Sequence, residues 1–376
     1  MRNFSLYKTF APMYRGFLLL IFVALGGCME PAIQNPSVAS AIEANQTNVF
    51  VDRPRLANYF DSLYESGRFN GTLFMASNDS ITCLALGKPR LKGKDSLEPN
   101  DVFQLASLSK PITALGVLRL VEKGMIELDA PISTYLFDFP DPQITIRSLL
   151  NHTSGMGNYI YVTDSLWNNP DSFMSNDDVY DLVRCEQVPT YHPPLKRFDY
   201  CNTNYAVLPV LIERVSGLTF PLFMQQEIFA PLRMHRTHYL DPWQKAPDAY
   251  RVLGHYPNGD PKRPFYLDGV VGDKSLYSSV EDLFKLYKAM QESDLWSKEL
   301  LQEAMQPSAR SGNGQFYGLG WRIRPIEGDT MVFHNGWWRG FRSYFWMSKK
   351  ENKVAIILTN SIRGGYLSQS EIWPLF

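Results

Sequence analysis

The apolar and polar positions divide the chain into strand-rich ends and a helix-rich middle. Leu56, Phe60 and Leu63 recur at helical spacing, and Gly67 closes that pattern. Two short apolar runs, 71–76 and 81–87, flank Ser77-Asn78-Asp79-Ser80 and predict a hairpin. Towards the other end, 318–323, 330–333, 342–347 and 354–359 predict strands, the last two joined by the polar turn 348–353. Between the ends, 112–121 and 206–215 predict helices, and Gly217 closes the second. A third, 280–291, sets Leu283, Leu286, Tyr287 and Met290 on one face. Antiparallel hairpins with segregated helices predict an α+β fold and not a doubly wound sheet. The simplest assembly joins the terminal strands in one sheet and inserts the central block into it.

Composition narrows the function classes. The 37 Lys and Arg nearly balance 38 Asp and Glu, a net charge of −1, which lacks the basic footprint of a nucleic-acid binder. Four cysteines in 376 residues make no disulfide scaffold. Residues 1–27 read as a signal segment, with Arg2, Lys8 and Arg15 before the apolar run 17–25. That run is half the roughly 20 residues a spanning helix needs. It ends in Leu25-Gly26-Gly27-Cys28, which resembles a bacterial lipobox. Cys28 would then be lipidated, and the chain exported to the periplasm or cell envelope on a lipid anchor. Residues 28–49 have tether composition. The folded unit is expected over 50–376, with a sheet lobe of about 50–125 and 270–376 and a helical lobe of about 126–269.

Three short elements carry chemistry. Ser107 and Lys110 stand three apart at the start of the apolar helix, where they share a face. There the serine meets the positive end of the dipole, and the amine can help remove its proton. A second Ser-x-x-Lys, Ser5 to Lys8, falls in the signal segment. Tyr200-Cys201-Asn202 precedes the helix 206–215. A phenol with a lowered pKa is a workable base, and an amide two residues on can hold a substrate amide. His334-Asn335-Gly336 follows the strand 330–333, where a backbone N–H beside a glycine can serve an oxyanion.

In this order and with their surroundings, the three resemble the signature of the serine β-lactamase and penicillin-binding-protein superfamily, in its class C branch. That branch includes D-Ala-D-Ala carboxypeptidases, D-aminopeptidases and esterases. Leu149-Leu150-Asn151-His152-Thr153-Ser154-Gly155, Pro231-Leu232-Arg233-Met234 and Tyr317-Gly318-Leu319-Gly320-Trp321 look like further motifs of the family. The resemblance implies a five-stranded antiparallel sheet flanked by helices, with an inserted mostly helical lobe. Ser107 would form an acyl-enzyme, and Lys110 and Tyr200 would handle its proton. The backbone amides of Ser107 and Trp337 would form the oxyanion hole. Asn202, His334, Asn335 and Gly336 would bind substrate. No metal or cofactor is implied. His334 and Asn335 replace the family's Lys and Thr or Ser, which predicts a poor β-lactamase. Of the family's C-terminal helix, only 368–376 is a candidate.

The leading expectation is a serine hydrolase of amide or ester bonds, with cell-wall D-amino-acid peptides or small esters as substrates. The alternative is a penicillin-binding or sensor-type protein that acylates without efficient turnover. Arg339 and Arg342 are weighed as a replacement carboxylate site, and a solvated loop is the plainer reading. His152 is expected to be a structural hydrogen-bonding residue, and His235 and His238 loop residues. Cys185 and Cys201 are left open as a pair, and Cys83 reads as a small hydrophobe in a strand.

Overall fold

The computed structural model describes residues 54–375, apart from 78, 79, 168, 170, 171, 240–250 and 349. The expected signal segment, the tether and Cys28 lie outside the described residues. Those described fall in one compact unit, Thr47–Phe376. Helix α1 (Pro54–Glu65) buries Leu56, Phe60 and Leu63, and Gly67 at φ 69° turns the chain out of it. Strands β1 (Gly71–Ser77) and β2 (Ser80–Leu86) form the hairpin, with Ser77 opposite Ser80.

After a short strand β3 (Phe103–Gln104), helix α2 (Ser109–Glu122) is buried along nearly all its length. Helices α3 (Ile146–Leu150), α4 (Ile160–Leu166) and α5 (Asn176–Arg184) follow, α5 opening on a Ser175–Asp178 capping box. Helix α6 (Asn202–Ser216) ends at Gly217, whose φ of 72° is the left-handed cap. Pro209 inside α6 has no N–H for the Tyr205 carbonyl. Gly272 packs there, and a Cβ on it would lie 2.5 Å from Tyr205 O. This contact seats the loop 272–275 beside the site. Next come α7 (Phe220–Met224), β4 (His238–Tyr239), β5 (Leu276–Ser278), α8 (Val280–Glu292) and α9 (Lys298–Ala304). Strands β3, β5 and β4 make a small antiparallel sheet.

The last strands are β6 (Ala309–Gly312), β7 (Gln315–Tyr317), β8 (Arg322–Ile326), β9 (Asp329–Trp338), β10 (Phe341–Ser348) and β11 (Lys353–Thr359). The large sheet runs β2-β1-β11-β10-β9-β8-β7-β6, antiparallel at every pairing, with β11 seated against β1 through Gly71 and Thr359. It therefore has eight described strands where the family resemblance implied five. The additions are β8 and the short β6–β7 hairpin, whose polar Ala309-Arg310-Ser311-Gly312 shows no strand alternation.

The expected strand 318–323 is also corrected. Gly318 donates to Trp321 O at 2.8 Å, so this stretch is a turn and β8 starts at Arg322. Gly320 is held at φ 91°, and a Cβ on it would lie 2.7 Å from that of Ala114 on α2. The glycine lets sheet and helix touch. One face of the sheet packs Met75, Tyr344, Trp346 and Ile357 against α1 and Ile372 of α10 (Gln369–Ile372). A single turn of 3₁₀ helix, Trp373–Leu375, extends this short C-terminal helix.

Candidate active site

Ser107 stands in a tight turn before the helix. Residues Ala106–Leu108 form a 3₁₀ turn, and α2 begins at Ser109. Ala106 is held at φ 51°, a left-handed conformation costing about 1–2 kcal/mol for a residue with a Cβ. Flanking bonds impose it: Leu105 N–H donates to Leu276 O at 2.8 Å, and Ser343 Oγ donates to Leu105 O at 2.5 Å. No side-chain cap is made at the start of α2, so Ser107 is not an ordinary helix cap. It is partly exposed on the wall of a cleft.

Lys110 is fully buried, and its three donors are directed at three oxygens. Its Nζ lies 3.3 Å from Ser107 Oγ, 2.7 Å from Asn202 Oδ1 and 2.8 Å from Asp273 O. It also sits 5.0 Å from the centre of the Tyr200 ring. Helix α2 thus supplies the amine, the N-terminus of α6 the amide and the phenol, and the loop 272–275 the carbonyl. That loop is braced from behind. Lys274, also buried, bonds Tyr159 OH and lies 3.2 Å from Asp273 Oδ1, while Tyr159 OH donates to Asp273 Oδ2 at 3.1 Å. Asn202 was expected to face a substrate amide. Its carbonyl oxygen is turned to Lys110, and Asn158 Oδ1 lies 3.5 Å from its Nδ2.

Strand β9 closes the other side. A Cβ on Gly336 would lie 2.2 Å from Leu105 O and 3.0 Å from Ser107 N. Only glycine allows the strand to run this close, and its closeness brings the Gly336–Trp337 backbone beside the Ser107 amide. Asn335 Oδ1 accepts from Trp346 Nε1 at 2.8 Å, on the cleft wall.

His334 is buried and faces the aromatic cluster. Nε2 lies 3.0 Å from Tyr317 OH and Nδ1 2.8 Å from Asn335 O. Burial first, then the nearby Arg322 and Lys110 charges, hold its pKa well below the usual 6.5. A neutral imidazole therefore stands where the family has a lysine. The cation lining the cleft beside Tyr200 is Arg322, with its guanidinium carbon 5.1 Å from that ring centre, and Arg324 lines the cleft further along β8. Sequence reading passed it over, although Arg322 directly follows the recognised Tyr-Gly-Leu-Gly-Trp. Arg339 bonds Arg263 O and covers the Phe265 ring, and Arg342 bonds Gly365 O and covers Tyr366. Neither lines the cleft, which has a volume of about 480 Å³.

His152 accepts from Cys201 N–H through Nδ1 at 3.2 Å, and its ring centre lies 4.4 Å from that of Tyr200. Its pKa is also held well below 6.5, by burial first and then by Lys110. Cys185 and Cys201 are free thiols, and Cys201 Sγ donates to Gly157 O at 3.2 Å. Burial pushes the Cys83 thiol up to about 12.

These two buried imidazoles, His334 and His152, predict a stability profile. In the unfolded chain they bind protons below about pH 6.5, and in the fold they do not. Their contribution is thus complete above that pH and lost as the pH falls towards their folded pKa values. Melting curves between about pH 8 and 5 should show this decline, and His152→Asn should flatten it. Parallel profiles for the two proteins would contradict it.

Residues 56–365 match the Beta-lactamase family. The chain is similar to a penicillin-binding protein of Bacillus subtilis (strain 168), at 32% identity over 82% of this chain and 72% of that one. Among solved structures it is similar to a penicillin-binding protein from Bacillus halodurans, with TM-score 0.74 and 26% identity, covering 85% of this chain and 99% of that one. A D-amino acid amidase from Ochrobactrum anthropi SV3 shares the fold, with TM-score 0.68 and 20% identity over 81% of this chain and 91% of its own. A match along most of the chain, on a fold that sets Ser107 and Tyr200 on one cleft wall with the buried Lys110 behind them, places this protein in the Beta-lactamase family as a serine hydrolase.

Proposed function

We propose that the protein cleaves an amide or ester bond through an acyl-enzyme on Ser107. The observation that carries this reading is the Lys110 Nζ at 3.3 Å from Ser107 Oγ, with Tyr200 beside it. Ser107 Oγ adds to the substrate carbonyl carbon as its proton passes into the Lys110–Tyr200 pair. The backbone amides of Ser107 and Trp337 stabilise the resulting oxyanion. Collapse expels the amine or alcohol, which takes up that proton and leaves an ester on Ser107. Water then adds to the ester, returns a proton to Ser107 and releases the acid. Arg322, flanking Tyr200, offers its charge to an anionic group of the substrate.

Cell-wall D-amino-acid peptides and small esters are the substrate classes we favour. The names of the relatives, penicillin-binding protein and D-amino acid amidase, support acyl chemistry on such groups. A neutral His334, and an Asn335 tied to Trp346, leave little to hold a β-lactam carboxylate on β9. Assays on p-nitrophenyl acetate, D-amino-acid amides, D-Ala-D-Ala peptides and nitrocefin should give Ser107-dependent turnover of an ester or amide. Nitrocefin should turn over at least about a hundredfold less efficiently. Efficient nitrocefin hydrolysis would refute the poor-lactamase reading. A fluorophosphonate or penicillin label that persists without turnover of any substrate would favour a sensor.

Export on a lipid anchor at Cys28 is also proposed, supported by Leu25-Gly26-Gly27-Cys28. Bacterial cells fed an alkynyl fatty acid should label the full-length chain and lose the label in Cys28→Ser. An equally labelled variant would overturn it.

A further inference from the structure

The cleft continues beyond the nucleophile along β8. Arg322 and Arg324 stand two apart on that strand, so their side chains leave the same face about 6.5 Å apart at the backbone. Both line the cleft with Gln315 and Gln369, and among the described residues its wall holds no Asp or Glu. Arg324 covers the Phe333 ring at 5.9 Å and bonds Gln369 Oε1 through Nη2. Its Nε and the Nε2 of Gln369 are buried donors with no acceptor. A group of donors that lacks acceptors and carries an uncompensated charge suits an oxyanion, which could take several of these hydrogen bonds at once.

We propose that this site takes a dianionic substrate. One anionic group is held by Arg322 beside Tyr200 and a second, a carboxylate, by Arg324 and the Gln369 amide. This deepens the hydrolase reading, because it rests on Ser107 as the reacting group, and it names the substrate class. The preferred molecule has an acidic side chain or a second carboxylate about 6.5 Å from the first. Arg324 and Gln369 are then specificity residues, while the bond-breaking residues lie at the other end of the cleft.

The test compares adipate with its monoamide, which differs only in the second charge. Calorimetric titration of the folded chain reads binding without turnover, so it judges Arg324 even if no ester is hydrolysed. Adipate should bind at least about tenfold more tightly than the monoamide. Arg324→Gln should bring the ratio near one. Gln369→Glu, which sets a carboxylate against Arg324, should do the same. Arg310→Gln removes an equal charge from the exposed strand β6 and should leave the ratio as in the wild type. Equal affinities in the wild type would overturn the proposal, as would a preference that survives both cleft variants. So would a preference that Arg310→Gln abolishes, since that would be a general charge effect.

Discussion

Ser107→Ala should lower kcat on p-nitrophenyl acetate by at least about 10⁴-fold, while the protein melts within a few degrees of the wild type. The two halves follow from the same geometry. The hydroxyl is the group we assign to attack the carbonyl, so its loss removes the covalent route. It is also the longest of the Lys110 contacts, and the bonds to Asn202 and Asp273 stay in place without it. Lys110→Met should cost a similar factor in rate, and unlike the serine variant it should also cost stability. It leaves the Asn202 and Asp273 oxygens without their donor in a buried site, at about 1–3 kcal/mol. The double variant should be little slower than either single one, since the two groups act as a unit. Steady-state kinetics with all three proteins checks this. A Ser107→Ala protein within tenfold of the wild type would sink the assignment.

Gly336→Ala should reduce kcat by about a hundredfold, with KM changed far less. The added Cβ would meet Leu105 O at 2.2 Å, a backbone atom already bound to Ser343, and cannot be relieved by a side-chain rotation. Strand β9 must back away by more than about 1 Å to reach ordinary contact. That shift separates the Trp337 and Ser107 amides, which act together on the oxyanion. Fluorophosphonate labelling should slow in proportion to kcat, because acylation is the step that needs the amides. A labelling rate equal to the wild type would show that the strand does not serve the oxyanion.

Motif order made the centre of this site legible. The Ser107–Lys110 pair, Tyr200 and Gly336 lie far apart in the sequence, yet each belongs to a short pattern whose chemistry is local. The contributions of Arg322, Arg324 and Tyr159 come only from what folds against them. Nothing in Trp321-Arg322-Ile323-Arg324 tells a rim arginine from one in a cleft. Backbone contacts were also out of reach, since the Asp273 carbonyl that receives Lys110 is a property of a loop and not of a side chain. His334 shows the limit most clearly. A histidine replacing a lysine reads as a weaker cation, but burial and two neighbouring charges make it a neutral hydrogen-bonding group. For the fold, short apolar runs bounded by polar turns located β1, β2, β10 and β11. The short polar β6 had no such signal, and the glycine turn at 318–321 read as part of a strand.

The register of Gly71 against Thr359 has a consequence for biosynthesis. The β1–β2 hairpin is made well before β11, and its inner edge has no partner until that strand emerges, 288 residues along the chain from Gly71 to Thr359. Until then the apolar β1 offers an open hydrogen-bonding edge to any other chain. The helices between can associate meanwhile, yet the sheet that aligns β9 with the Ser107 turn must wait for β11. Such long-range closure is slow and exposes the nascent chain to self-association. Catalytic competence therefore waits on the closure of β1 against β11.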